Sequence, residues 1–151
     1  MSCPEIESFV RNWNRIHKQT SRALRAAPVD KMEWRPKEGM FTLRELVTHI
    51  PQAELMITRS ALAGSMQKVE LDLSNLSPDE IADIFDRQHA ELAEEVSKLG
   101  SEQVGEMMEI FGKSMSRIAL LHGMAEHEIH HRGQLYAFLR LVDVEPPSLF
   151  G

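Results

Sequence analysis

The chain has 151 residues, of which 42% are hydrophobic and 26% are charged, proportions that are ordinary for a folded globular protein. This length predicts one domain, residues 1–151, with a full hydrophobic core. A net charge of −6 without a basic cluster argues against a nucleic-acid partner, since phosphate binding needs concentrated Lys and Arg. No apolar run reaches the roughly 18–20 residues of a membrane span and no signal-peptide pattern is present, so we expect a cytoplasmic protein with no membrane partner.

The first predicted helix begins at residues 2–5, Ser-Cys-Pro-Glu, which form a capping box with proline at the first helical position. Apolar residues at helical spacing continue until Pro28 ends the pattern. His17 lies next to this face and is assigned to its edge. Cys3 is the sole cysteine, so it cannot close an internal disulfide, and we expect it as an incidental residue in a mobile N-terminus.

The second predicted helix begins at a capping box in residues 42–45, Thr-Leu-Arg-Glu, after a structured connection in which Trp34 can cover one end of the core. His49 lies on the apolar face of this helix. Pro51 lacks a backbone N–H, so we expect a kink beside His49. The apolar face consists of Leu43, Leu46, Val47, Ile50, Ala53 and Ile57.

The third predicted helix follows a long connection, residues 65–76, and begins at a capping box in residues 77–80, Ser-Pro-Asp-Glu. It ends at Gly100. We assign His89 to its solvated face with the neighbouring glutamates. Residues 100–114 are predicted as a loop with a brief extended segment. The apolar face consists of Ile81, Ile84, Phe85, Gln88, Leu92, Val96 and Leu99.

The fourth predicted helix is capped by Ser114 or Ser116 and continues to about Leu141, before residues 146–147, Pro-Pro. Four long amphipathic segments without a clear strand pattern predict an all-α four-helix bundle. The core face of this helix consists of Leu120, Met124, His127, His131, Leu135, Phe138 and Val142.

A second, nearly opposite apolar stripe on the fourth helix suggests a protein partner. Glycine inside a helix costs roughly 1 kcal/mol relative to alanine, so Gly133 indicates close approach of another surface. This surface is either the remainder of the bundle or a second copy of the chain, and we favour a homodimer. The stripe consists of Ile118, Ala125, Ile129, Gly133, Tyr136 and Ala137.

A metal site is predicted where His127 and His131 are spaced i, i+4, because this spacing brings two imidazoles to the same side of a helix. Both lie on the apolar side, and His49 is the candidate for the third ligand that such a site needs. His130 is an alternative ligand that points to the side of the core face. His122 lies nearly opposite His131 and is a poor candidate.

Three neutral imidazoles would hold a divalent ion and leave at least one position open for water or substrate. We expect zinc or nickel, with iron or manganese as alternatives. Gln134, at the edge of the core face, can hold a ligand or a bound water. Residues 127–131 also read His-Glu-x-x-His, the zinc metalloprotease motif, in which Glu128 would be the general base. We disfavour a protease, because no histidine follows His131 and the extended motif requires glycine where Gln134 stands.

Residues 127–135, His-Glu-Ile-His-His-Arg-Gly-Gln-Leu, with residues 136–140 and 146–147 resemble the C-terminal signature of the DinB-like family. Residues 34–36 and 43–49 and Glu54 resemble its N-terminal half. The resemblance implies a four-helix bundle, commonly dimeric, with His49, His127 and His131 as metal ligands. It also implies a relationship to S-transferases and isomerases that use a low-molecular-weight thiol.

Three functional hypotheses follow. The leading one is a metal-dependent enzyme in which the ion activates a thiol or water for transfer or hydrolysis on a small molecule. The second is a non-catalytic metal-binding or small-ligand-binding stress protein. The third is a purely structural helical dimer, for which replacing all three histidines would leave ligand binding and stability unchanged.

Overall fold

The structure is a computed structural model that describes residues 3–150, and it confirms the predicted all-α architecture. Helices α1, α2, α3 and α5 form the bundle, while a 3-10 turn, a short helix α4 and a two-stranded antiparallel hairpin lie in the connections. The elements are α1 Pro4–Arg25, the turn Val29–Lys31, α2 Leu43–Ala63, α3 Pro78–Ser97, α4 Ser101–Val104, β1 Met107–Ile110, β2 Lys113–Ser116 and α5 Arg117–Leu141.

Local side-chain chemistry defines where the helices begin. Both groups of a capping box are present at Thr42 and at Ser77, as predicted. Ser116 caps α5 by accepting a hydrogen bond from the backbone N–H of Ala119. Of the two caps predicted from the sequence, Ser114 and Ser116, it is therefore Ser116 that caps the helix. At α1 the capping residue is Cys3 and Pro4 is the first helical residue, while Ser2 lies outside the described residues.

The helices pack chiefly in two pairs, α2 with α5 and α1 with α3. Their apolar faces form two hydrophobic clusters, one that includes Trp13 and one that includes Phe85, and both of these rings are fully buried. The predicted core face of α2 is buried throughout. Burial of such faces is the main source of stability for helices of this kind.

The connection between α2 and α3 is held against α2 by Gln52. Its side-chain amide donates to the carbonyl of Val69 and accepts from the N–H of Leu71, both at 2.6 Å. The brief extended segment predicted after α3 is confirmed as the β1–β2 hairpin, with Met108 opposite Met115. Trp34 covers one end of the core, as predicted, with its ring edge-on to Phe138.

Two sequence-based expectations are wrong. Cys3 is buried with 3% exposure against the core, because helix α1 begins immediately after it and holds it in place. His89 is buried with 5% exposure, because its face of α3 is covered by α1. At Gly133, no atom of residues 3–150 lies within 4 Å of the position of an added Cβ, and the favoured homodimer contact there stays a prediction.

Two further observations concern Pro51 and the helix lengths. Helix α2 continues through Pro51, whose carbonyl accepts a hydrogen bond from Gln88 at 2.9 Å, and the kink beside His49 stays a prediction. Within residues 3–150, every helix is too short or too polar to cross a membrane.

Candidate metal centre

The structure brings His49, His127 and His131 together. His49 comes from α2 and the other two from α5, and these helices pack directly against each other. Nε2 of His127 lies 3.2 Å from Nε2 of His49 and 3.1 Å from Nε2 of His131. All three histidines are half-buried. The predicted juxtaposition of one distant histidine with the helical pair is therefore present in the fold.

The spacing of the nitrogens fits coordination of one ion. With metal–nitrogen bonds of roughly 2.0–2.1 Å, two imidazole nitrogens in tetrahedral geometry lie about 3.4 Å apart. The two short separations around His127 are close to this value, and one ligand atom from each histidine lies within 4.8 Å of the other two. Small side-chain adjustments therefore suffice to place the three nitrogens around one ion.

The protonation states of the histidines also suit metal binding. Gln134 Oε1 lies 2.7 Å from Nδ1 of His131; an amide oxygen only accepts, so Nδ1 carries the proton and Nε2 has a free lone pair. Burial lowers the pKa of His49, and burial with the neighbouring imidazoles lowers the pKa of His127 to about 4. These two rings are thus neutral at pH 7, as a metal ligand must be.

An open cleft of about 500 Å³ adjoins His49 on the outer side of the site. Phe41 lines this cleft, and the centroid of its ring lies 5.3 Å from that of His49 and 6.2 Å from that of His131. A molecule in this cleft would lie beside His49. The lining residues are Phe41, Arg44, Glu45, Thr48, His49, Gln52, Leu71, Asp72, Leu73 and Ser74.

The remaining residues singled out from the sequence lie in different places. Gln134 contacts His131, as described. His130 is exposed with its ring 4.9 Å from that of His131, and His122 is exposed beside Phe9. Glu128 is turned into the bundle, where it accepts a hydrogen bond from Thr20 at 2.7 Å. The protease-type role of Glu128 gains no support from this placement.

A second group of polar side chains in the interior was missed by sequence reasoning. His17, Glu54 and His89 are buried together, and one ligand atom from each lies within 4.8 Å of the other two. A signal for His89 was available, since it follows Phe85 by four residues and precedes Leu92 by three, which places it on the apolar face of α3.

The fold and the histidine site define a class of protein. The chain belongs to the DinB superfamily, whose family model matches residues 12–135. It is 25% identical over 118 residues to the uncharacterized protein YjoA of Bacillus subtilis strain 168, an alignment that covers 74% of this chain and 73% of YjoA.

Two solved structures share the fold. The crystal structure of the DinB-like protein YjoA from Bacillus subtilis matches with a TM-score of 0.77 and 24% identity, covering 94% of this chain and 96% of that one. A DinB-like protein from Bacillus cereus ATCC 10987 matches with a TM-score of 0.80 and 21% identity, covering 94% and 95%. The all-α, DinB-like fold predicted from the sequence is therefore confirmed.

Proposed function

We propose that this protein is a metal-dependent enzyme that acts on a small molecule, with His49, His127 and His131 holding one divalent ion. The observation that carries the proposal is the meeting of three Nε2 atoms from two helices at the edge of an open cleft. Three neutral ligands leave the charge of an ion uncancelled and at least one coordination position open, the usual arrangement of catalytic rather than structural sites.

The donor set favours zinc or nickel, and it also accepts iron or manganese, since imidazole is a ligand for all four. A divalent ion bound there supplies Lewis acidity toward a thiol, water or carbonyl group. Gln134 holds His131 in the tautomer with Nε2 free, and the ring of Phe41 lies beside the rings of His49 and His131. These contacts preorganise the site before a substrate arrives.

The cleft supports a small amphipathic substrate. Phe41, Leu71 and Leu73 supply apolar surface on its walls, while Glu45 and Asp72 supply carboxylates. The family resemblance favours a low-molecular-weight thiol as one reactant. We therefore propose thiol transfer to a small electrophile as the leading reaction, with hydrolysis as the alternative.

A homodimer through α5 is part of the same proposal. Ile129 is 41% exposed, and Gly133 and Ala137 are exposed one and two turns further along the same face. The open space at Gly133 allows the backbone of another helix to approach closely. Light scattering should report a dimer for the wild type and a monomer for Gly133→Glu; a monomeric wild type would remove this part of the proposal.

Elemental analysis of the purified protein tests the metal site. His131→Ala and His49→Ala are each expected to lower bound metal by about one ion per chain, because two imidazoles bind far more weakly than three. His130→Ala is the matched control, since it removes an exposed imidazole beside the site. Unchanged metal content in all three variants would contradict the proposal.

A conjugation assay tests the reaction. We would use glutathione and cysteine as thiols and 1-chloro-2,4-dinitrobenzene as electrophile, with and without prior chelation. Turnover should require the ion, be lost in His131→Ala and persist in His130→Ala. An ion held by the three histidines without turnover of any thiol or ester probe would favour the non-catalytic binding protein instead.

A further inference from the structure

Each of the four long helices places one histidine or glutamate, a residue type that can bind metal, in the interior of the bundle. These residues are His17 on α1, Glu54 on α2, His89 on α3 and Glu128 on α5, and their exposures are 7%, 2%, 5% and 2%. One ligand atom from each of His17, Glu54 and His89 lies within 4.8 Å of the other two. Helix bundles that bind metal in their core commonly draw ligands from facing helices in this way.

His89 offers its Nδ1 lone pair to the interior. Its Nε2 lies 2.7 Å from Oδ1 of Asn14; an amide oxygen only accepts, so Nε2 carries the proton. Burial lowers the pKa of His89 to about 4, which keeps the ring neutral and Nδ1 unprotonated. This nitrogen lies 3.3 Å from Oε2 of Glu54, a separation that two ligands of one ion can have.

His17 is arranged in the same way. Its Nε2 lies 2.8 Å from Oδ1 of Asp86, a carboxylate that also pairs with Arg25. Nε2 therefore donates, and burial lowers the pKa of His17 to about 4, so Nδ1 keeps a lone pair. Among residues 3–150, this buried Nδ1 has no hydrogen-bond partner. A histidine whose outer nitrogen donates to a carboxylate is the usual arrangement of a metal ligand.

The two carboxyl groups add further acceptors. Glu54 Oε1 accepts from Gln88 at 3.0 Å, which leaves Oε2 facing His89. Glu128 Oε2 accepts from Thr20 at 2.7 Å, while its Oε1 is buried and has no partner within the described residues. Burial raises the pKa of the Glu54 carboxyl, because an uncompensated buried negative charge is costly.

We propose that His17, Glu54 and His89 form a second, interior site for a divalent metal ion. A mixed imidazole and carboxylate set suits Mn²⁺, Fe²⁺ or Zn²⁺. One such ion would balance the charge of the Glu54 carboxylate, which faces the Nδ1 lone pair of His89. The rings of His17 and His89 are stacked, with 4.0 Å between their centroids. A single ion cannot lie in the planes of two stacked rings, so it lies closer to the plane of one of them. His89 is the better placed, since its Nδ1 already faces Glu54.

This interior site differs in role from the three-histidine site. Its ligands come from three helices, α1, α2 and α3, and are closed off from solvent, so an ion there holds the bundle together rather than meeting a substrate. Exchange with solvent requires opening of the bundle. A chelator should therefore remove the ion at the half-buried histidines quickly and the interior ion slowly.

The experiment is refolding of the full chain from urea in the presence of Mn²⁺ or Zn²⁺, followed by gel filtration and elemental analysis. With Zn²⁺, the wild type should retain about two ions per chain, and the double variant H127A/H131A about one. Glu54→Gln should also lose about one ion, while Glu95→Gln, which removes an exposed carboxylate of α3, should lose none. One ion in the wild type together with none in H127A/H131A would overturn the proposal.

H127A/H131A leaves the interior residues unchanged. The interior site can therefore be tested in this double variant even if Glu54→Gln fails to fold. A metal-dependent rise in the melting temperature of H127A/H131A supports the interior site, and an unchanged melting temperature at saturating Zn²⁺ and Mn²⁺ counts against it. Failure of the three-histidine proposal is distinguishable, since His131→Ala would then leave the metal content at the wild-type value.

Discussion

Gln134 Oε1 accepts a hydrogen bond from Nδ1 of His131 at 2.7 Å, from one turn further along α5. The contact selects the tautomer of His131 and fixes the rotation of its ring. Gln134 thus acts on the proposed ion through another residue, as a positioning group.

Replacing Gln134 should weaken metal binding without abolishing it. We expect Gln134→Ala to lower the affinity for Zn²⁺ about 10–100-fold, the usual effect of losing such a supporting contact. Gln134→Glu keeps an acceptor at the same position and should bind at least as tightly as the wild type. Competition with a chromophoric chelator measures both; equal affinities for all three proteins would show that Gln134 does not position His131.

Metal retention at the three-histidine site should depend on pH. Protons compete with the ion for the imidazoles, but burial lowers the pKa of His49 and brings that of His127 to about 4. The ion should therefore stay bound at pH 6.5 and be released between about pH 6 and pH 4. Equilibrium dialysis across this range checks the prediction, and full retention at pH 3 would argue against histidine ligation.

Stability of the metal-free protein should respond to the titration of Glu54. Burial raises its pKa to about 8 from 4.5, so the folded chain keeps a proton that the unfolded chain releases. This stabilisation is complete below pH 4.5 and is lost as pH rises through about 8. The free energy of unfolding of the wild type relative to Glu54→Gln should consequently fall between pH 5 and pH 8.

Urea titrations on chelator-treated samples at several pH values measure this difference. Glu95→Gln serves as the control, because its carboxylate is exposed in an ion pair with Arg59. If the free energies of unfolding of the wild type and of Glu54→Gln differed by the same amount at every pH, Glu54 would have an ordinary pKa in the folded state.

Arg117 secures the C-terminal end of α2. Its buried guanidinium donates to the carbonyls of Ala61 at 2.7 Å and Leu62 at 2.6 Å and pairs with Glu106 at 3.1 Å. The last carbonyls of a helix have no partner within it, so the arginine satisfies groups that would otherwise be buried unpaired. Arg117→Met should lower the free energy of unfolding by about 2–4 kcal/mol. In urea denaturation, the exposed Arg11→Met should stay within about 0.5 kcal/mol of the wild type.

The capping box at α3 should contribute measurably to stability. Ser77 Oγ accepts from the N–H of Glu80 at 3.2 Å, and Glu80 Oε1 accepts from the N–H of Ser77 at 3.0 Å. Ser77→Ala removes the first of these two hydrogen bonds and should lower the free energy of unfolding by about 1 kcal/mol. The exposed Ser114→Ala is the control. Equal thermal stability of the two variants would mean that α3 begins independently of its cap.

The amino-acid sequence by itself determined the features that depend on neighbours along the chain. Capping groups interact within three or four residues, so the starts of α2, α3 and α5 were predictable. Helical geometry likewise places His127 and His131 on one side of α5 whatever surrounds them. The local half of the candidate site was therefore available from spacing alone.

Only the tertiary structure decided which surfaces meet. Helical periodicity orients a side chain about its own helix axis, but it does not say which neighbour covers that side or at what height. His49 was assigned to the site because two histidines need a third, and the packing of α2 on α5 is what sets its nitrogen 3.2 Å from that of His127. His89 was placed in solvent because of its acidic neighbours, and the packing of α1 on α3 buries it beside His17. Long-range packing, which no local pattern encodes, brought together both groups of candidate ligands.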